Sequence, residues 1–368
     1  MLKILLVSNG FYPEISPRSF RATELAKEFA RQGYQVVVYS KYRNFDYSEF
    51  LNKHEITFKM WDKDRFPTVP NWKGKIGNIL SRGLTRILSL LFEYPGIEDM
   101  FKVKNLLKNE NGYNLMISFA VPFPVHWGVA WARTKKHPIA NIWVADCGDP
   151  YMGVINDTFK KPFYFSYLEK SFLRKSDFTT IPKIELKARF NENYHQKIIE
   201  IPQGLNFDKV NFTQSVFVHN SIVSFAFAGI FMKNVRDPKE LLDYLTTLKQ
   251  DFRFYVFTST PSFLEPYLKI LEGKLVVSSF ILRQDLITFL SKMDFLINIG
   301  YDPAVQVPSK LIDYALSGRP ILNIKSQFIA EDFDAFLSGD YKKKHIIEDF
   351  EKYNIKNVTN QFLNLLNE

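Results

Sequence analysis

The sequence predicts an α/β protein of two Rossmann-like domains facing a cleft, each built on a doubly wound parallel sheet. Three observations carry this expectation. The chain has 368 residues, too many for one ordinary hydrophobic core and enough for two domains. Short, almost continuous apolar runs recur along it, as strands buried on both faces require. Helical or loop segments separate those runs, which is the grammar of βαβ units. With 46% apolar and 24% charged residues, 16 Gly and 18 Pro, the composition excludes disorder, collagen and low-complexity repeats.

Residues 2–8 (LKILLVS) predict a buried first strand; their apolar stretch is too short for a signal-peptide core. A turn-forming stretch, NGFYPEISPRS, follows. Phe20, Leu25, Ala26 and Phe29 then recur at helical spacing up to Gln32, with Gly33 at the expected C-cap. Residues 34–39 form the next strand. Further strands are expected at 115–118, 140–145 and 178–181, and in the second half at 223–228, 253–257, 295–299 and 320–324. The pattern breaks after IPQGLNFD, where Pro202, Gly204 and polar residues divide domains 1–205 and 206–349. No apolar run approaches the roughly 18 to 20 residues of a membrane span.

Forty-eight basic against 39 acidic side chains leave a formal charge of +9, which suits anionic partners. Nucleic acid is not expected, because Phe and Tyr lie in apolar runs rather than in basic stacking patches. The single cysteine, Cys147, makes neither an internal disulfide nor a thiolate metal cage and favours a reducing compartment. Between 72 and 92, Lys73, Lys75, Arg82 and Arg86 alternate with Ile76, Ile79, Leu80, Leu84, Ile87 and Leu88. This basic amphipathic stretch either lies on an anionic membrane or packs its apolar stripe on the first domain.

The motifs narrow the chemistry. Neither GxGxxG nor GxxxxGK[ST] occurs, which weakens dehydrogenase and P-loop readings, and none of the six His falls in HExxH spacing. Asp62 and Asp64 form an isolated DxD with no strand feeding it, a solvated loop rather than a metal site. In FLINIGYDPAVQVPSKLIDYALSGRPILNI, residues 295–324, a strand ends at Gly300 and Pro308 suits the first turn of a helix that Gly318 terminates. The free N–H groups and positive dipole of that helix start favour a phosphate, with Ser309 adding a hydroxyl and Lys310 a full charge. Asp313 shares a face with Ser309 and is positioned for a ribose diol; the alternative is that Ser309 caps the helix and Asp313 complements its dipole. Lys233 and Arg236, in the loop before a helix opened by Asp237 and Pro238, are either a diphosphate grip or solvated charges. Asp146 and Asp149 follow a buried strand at the end where such sheets place ligands. One of them is a candidate base for an acceptor hydroxyl, and Asp149 alternatively starts a turn before Pro150. His126, in VPFPVHWG, either reaches the cleft or packs near the surface.

KILLVSNGFYPEISPRSFRATELAKEFARQGYQVVVYS, WVADCGDPY, KIIEIPQGLNFD, AFAGIFMKNVRDP and VPSKLIDYALSGRPIL together resemble, in order, a family 4-type retaining glycosyltransferase of the GT-B fold. The resemblance covers most of the chain. It implies a nucleotide-sugar held mainly by the second domain as co-substrate, with no other cofactor and no metal. It also implies an acceptor on the first domain and a last helix, within about 350–368, crossing back onto that domain. By position, Arg236 resembles the cation on the donor diphosphate, and Ser309 and Lys310 the helix-start phosphate contacts. Asp313 stands where the family has the second glutamate of Glu-x7-Glu; Val305 replaces the first, so Gln306 or Asp302 would have to compensate. Ser16 and Pro17 replace a Gly-Gly turn, so Ser16, Arg18 or Arg21 side chains would make contacts that backbone makes elsewhere. Arg21 is alternatively a surface residue.

The expected reaction is transfer of a sugar to an acceptor hydroxyl with retention, Arg236 and Lys310 stabilising the departing diphosphate as domain closure excludes water. Relatives often build surface polysaccharides on lipid-linked acceptors at the cytoplasmic membrane face, so a cytoplasmic protein with peripheral membrane contact is expected. The rival readings are a nucleotide-sugar epimerase or phosphorylase, and a catalytically silent nucleotide-sugar-binding protein.

Overall fold

The structure is a computed structural model that describes residues 1–153, 159–208, 220–300, 309–325, 327–347 and 349–368, with Ser309 described by its backbone alone. Asp302, Val305, Gln306 and Pro308 lie outside the described residues. The chain divides into two compact units, Met1–Leu205 with Lys352–Glu368, and Asn206–Glu351.

In the first unit, strands β1 (Lys3–Ser8), β2 (Gln35–Lys41), β3 (Thr57–Trp61), β4 (Tyr113–Ala120), β5 (Ala140–Cys147), β6 (Phe178–Ile181) and β7 (Ile198–Glu200) form a parallel sheet in the order β3-β2-β1-β4-β5-β6-β7. Helices α1 (Pro17–Arg31), α2 (Ser48–His54), α3 (Lys75–Phe92), α4 (Glu98–Leu107), α5 (Pro124–Ala132) and α6 (Phe165–Lys175) accompany it. The continuous apolar runs are explained by burial of both sheet faces. In β1, Leu5 and Val7 enter one core layer with Met116 and Trp143. Ile4 and Leu6 enter the opposite layer with Leu25, Phe29 and Ile117.

The second unit repeats the plan. Strands β8 (Val223–Ala228), β9 (Phe252–Phe257), β10 (Leu275–Ser278), β11 (Phe295–Ile299) and β12 (Ile321–Ile324) are parallel in the order β10-β9-β8-β11-β12. Helices α7 (Lys239–Thr247), α8 (Glu265–Leu268), α9 (Arg283–Leu290), α10 (Ser309–Leu316) and α11 (Ala330–Leu337) connect or flank them. Phenylalanine fills this core: the Phe225 ring stacks on Phe254 and Phe295 at 4.9 Å and meets Phe333 edge-on at 5.4 Å. The last helix, α12 (Ile355–Asn364), returns to the first unit. Ile355, Val358, Phe362 and Leu365 enter the same layer as Leu25 and Phe29 of α1. Those burials stabilise the tail by roughly 6–12 kcal/mol before the cost of ordering it.

In both sheets the order reverses beside the first strand, between β1 and β4 and between β8 and β11. Such a reversal is the place where open α/β sheets bind ligands, at the carboxyl ends of the strands.

Candidate functional site

The second unit assembles a cationic site at the carboxyl end of β8. Tyr314 of α10 is buried, and its hydroxyl accepts the Ala228 N–H at 2.7 Å, tying α10 to the end of β8. Gly229 follows. A Cβ built there would lie 2.6 Å from the Lys310 Nζ and 2.6 Å from Phe227, so only glycine lets the ammonium settle against the backbone. The next residues form a small turn, Arg236 N–H donating to the Met232 carbonyl at 2.8 Å, with Asn234 at φ 62°. The turn leaves Lys233 exposed and Arg236 half-buried. Neither Lys310 nor Arg236 has an ion pair or a side-chain hydrogen bond among the described residues. Burial, reinforced by the charge of Arg236, lowers the Lys310 pKa to about 8. The Asp313 carboxylate, already held by Arg283, offsets that shift only in part. Two neighbouring cations outside any ion pair among the described residues, at a helix start and a switch point, favour an anion there. Ser309 opens α10.

Asp313, one turn further in, does not stand open. Arg283, the first residue of α9, clasps its Oδ1 through Nε at 2.7 Å and through Nη2. Burial pushes the Asp313 carboxyl up from its usual range and Arg283 opposes that shift. Asp313 is therefore half of an ion pair rather than a complement to its own helix dipole. Sequence reasoning missed Arg283. A signal was present: a cation at the start of a helix opposes the macrodipole, and Leu282 supplies no side-chain cap, so Arg283 is placed for a partner elsewhere.

The first unit differs from expectation. Ser16 caps α1, accepting the Ser19 N–H at 3.2 Å. Arg21 is neither a surface residue nor open to an acceptor. At 2% exposure it donates to both oxygens of Asp146 at 2.8 and 2.7 Å, and to the carbonyls of Pro202 and Ile201 at 2.6 and 3.0 Å. Asp146 likewise is not placed as a base. It also accepts from Arg18 at 3.2 Å and Thr180 at 2.8 Å, and is 1% exposed. Burial alone would raise its pKa, but the two guanidiniums outweigh burial and hold it below the usual range. His126 reaches neither cleft nor surface. It is fully buried in α5, Nδ1 2.8 Å from the Ser118 hydroxyl and Nε2 3.5 Å from the Cys147 sulfur. Burial drives its pKa down to about 3, so the imidazole is neutral, and the buried thiol is pushed well up. This histidine–cysteine contact is an uncharged core feature.

Two groups remain accessible. Arg18 keeps 22% of its side chain exposed while bonding Asp146 through Nη1 alone. A Cβ at Gly148 would fall 1.6 Å from its Nη2, so the glycine makes room for this guanidinium. Asp149, next in sequence, is exposed on a bend and carries no hydrogen bond among the described residues. Asp62 and Asp64 sit on the surface, Asp64 paired with Lys41 at 2.8 Å and Lys102 at 3.0 Å. No helix among the described residues is long and apolar enough to cross a membrane.

No protein-family profile matches the sequence, and no curated protein matches it. Solved structures do. The chain is similar to a glycosyltransferase from Rickettsia africae ESF-5 at 14% identity and TM-score 0.63, over 99% of this chain and 97% of that one. It is similar to S. aureus TarM, solved as a mutant with fondaparinux, alpha-GlcNAc-glycerol and UDP, at 11% identity and TM-score 0.61 over the whole of both chains. It is also similar to the UDP-GlcNAc 2-epimerase of Neisseria meningitidis bound to UDP-GlcNAc, at 13% identity and TM-score 0.57 over 99% of each chain. Coverage of nearly entire chains, together with two parallel sheets of Rossmann order, gives this protein the GT-B fold.

Proposed function

We propose that the protein is a glycosyltransferase that moves a sugar from a nucleotide-sugar to an acceptor hydroxyl, with retention and without a metal. The observation that carries this reading is the pair Lys310 and Arg236, neighbouring cations outside any ion pair among the described residues, beside the start of α10. They would hold the diphosphate and offset the charge that grows on it as the glycosidic bond breaks. Ser309 and Gln306 are assigned to the same donor and Lys233 to the rim of its site. Asp313, oriented by Arg283 through Oδ1, is assigned to the ribose through its other oxygen. On the first unit, Asp149 is the proposed base for the acceptor hydroxyl, and Arg18 the proposed contact to the acceptor. Asp146, Arg21 and His126 take no part beyond supporting the fold. The acceptor proposed is a glycan or lipid-linked glycan at the cytoplasmic face of the membrane, in polysaccharide assembly.

Similarity to structures holding UDP or UDP-GlcNAc supports the donor class, and the epimerase among them keeps nucleotide-sugar epimerisation as a second reading. A silent binding protein is the third, favoured by the clasp on Asp313. The test is release of nucleoside diphosphate from a panel of nucleotide-sugars. Arg236→Ala should lower turnover by about 10²–10³ with little change in melting temperature, because its side chain is only half-buried. Binding without turnover under every acceptor tried favours the silent protein, interconversion of sugar epimers favours the epimerase, and full activity of Arg236→Ala removes the diphosphate grip.

A further inference from the structure

Helix α3 is inverted relative to an ordinary surface helix. Ile76, Ile79, Leu80, Leu84, Ile87 and Leu91 share one face at spacings of three and four, and all are exposed, Ile76 by 76%. A helix of a folded domain normally turns such a stripe inward. Here the buried residue is Ser81, whose hydroxyl donates to the Pro70 carbonyl at 2.7 Å and accepts the Trp72 N–H at 3.0 Å. The packing alternative raised by the sequence is therefore excluded.

The exposed stripe does not end with the helix. Tyr164 donates to the Leu91 carbonyl, and Lys161 bonds Glu93 at 2.7 Å, bringing residues 159–167 to the carboxyl end of α3. Phe159, Phe163, Tyr164 and Tyr167 are exposed there, Phe163 by 76%, and Phe92 and Trp72 are exposed at either end of the helix. Contiguous apolar area of this kind marks a docking surface.

We infer that α3 and the 159–167 segment form one face that docks on an anionic lipid bilayer. Charge selects this occupant. From residue 65 to residue 92 the sequence contains no Asp or Glu, but it contains Arg65, Lys73, Lys75, Arg82 and Arg86. Lys75, Arg82 and Arg86 line one flank of the apolar stripe and are exposed, and Lys160 and Lys170 are exposed around the aromatic segment. One-sided positive charge bordering an apolar face with Trp, Tyr and Phe fits anionic head groups above acyl chains, since aromatic rings favour that boundary. The inference deepens the membrane setting proposed above, and it is measured without donor or acceptor, so its failure leaves the transferase reading intact.

The test is flotation of the full chain with vesicles of phosphatidylcholine alone or with about 30% phosphatidylglycerol. Binding should require the anionic lipid and weaken with added salt. Arg82→Gln with Arg86→Gln should weaken it about 25-fold. Ile79→Ser with Ile87→Ser should weaken it more than tenfold at unchanged melting temperature, both side chains being exposed in the free protein. Absence of binding, equal binding to the zwitterionic vesicles, or insensitivity to both variants overturns the inference. So does concentration-dependent dimerisation, seen by light scattering and abolished by the Ile79/Ile87 variant, which would assign the face to a second copy of the chain.

Discussion

Replacing Asp146 by Asn tests whether the first unit is held by its buried ion cluster. Arg21 makes two charged hydrogen bonds to Asp146 at 2.7 and 2.8 Å while 2% exposed. An amide offers one acceptor oxygen and turns its NH2 toward the guanidinium, so at most one of those bonds survives and a buried cation loses its counter-charge. Removing one partner of such a pair costs about 3–5 kcal/mol; Arg18 and Arg21 both lose their neutraliser, which places the expectation in the upper half of that range. With a urea slope near 3 kcal/mol/M, the midpoint should fall by about 1.3–1.7 M. The two units are separable in the assay, because all five tryptophans, Trp61, Trp72, Trp127, Trp131 and Trp143, lie in the first. Their fluorescence reports that unit alone. Because the folded pKa of Asp146 is depressed, the stabilisation is present above the unfolded value of about 3.9 and is lost as pH falls through the lower folded value. The wild type and the variant should therefore converge in acid. A midpoint shift below about 0.3 M at neutral pH would refute the clamp.

Other outcomes follow from the same contacts. Gly148→Ala should expel the Arg18 guanidinium, because the new Cβ would overlap it. Arg18 can swing to solvent, so stability should fall by only about 1 kcal/mol, while the rate with a working acceptor falls about tenfold; an unchanged rate removes Arg18 from the acceptor site. Arg283→Gln removes the larger of the two charges that oppose the burial of Asp313, leaving only Lys310. Calorimetry should then show nucleotide affinity about 5–10-fold lower, its acid limb moved to higher pH, and an unmoved limb would mean that Asp313 does not meet the nucleotide.

The central strands were legible because burial on both faces writes a continuous apolar run into the chain. The strands not foreseen, β3, β7 and β10, are sheet edges. In β3 only Trp61 is buried, and β7 has three residues, so neither carries such a run. Arg21 read either as an acceptor contact or as a surface residue of an amphipathic helix, and its burial was missed because its partner lies 125 residues away, beyond any spacing rule. His126 was misplaced although a cue existed. Nearly every residue of α5 is buried, and a helix apolar all round belongs to the core. The cationic turn and the start of α10 were readable, since Pro308, Lys310 and Gly318 punctuate the sequence. The clasp of Arg283 on Asp313 was not, because it joins two helices whose packing no local pattern records.

The proposed nucleotide seat is best tested by calorimetric titration of UDP, GDP, ADP and CMP into the wild-type chain and Lys310→Met at pH 7 and pH 9. One nucleotide should bind the wild type at pH 7 and lose about tenfold in affinity by pH 9, as Lys310, with its pKa near 8, gives up its proton. Binding near pH 8 should take up a proton, because the bound phosphate favours the charged ammonium. Lys310→Met should bind weakly and without that pH dependence. Wild-type affinity that is the same at both pH values, or undiminished in Lys310→Met, would contradict the assignment.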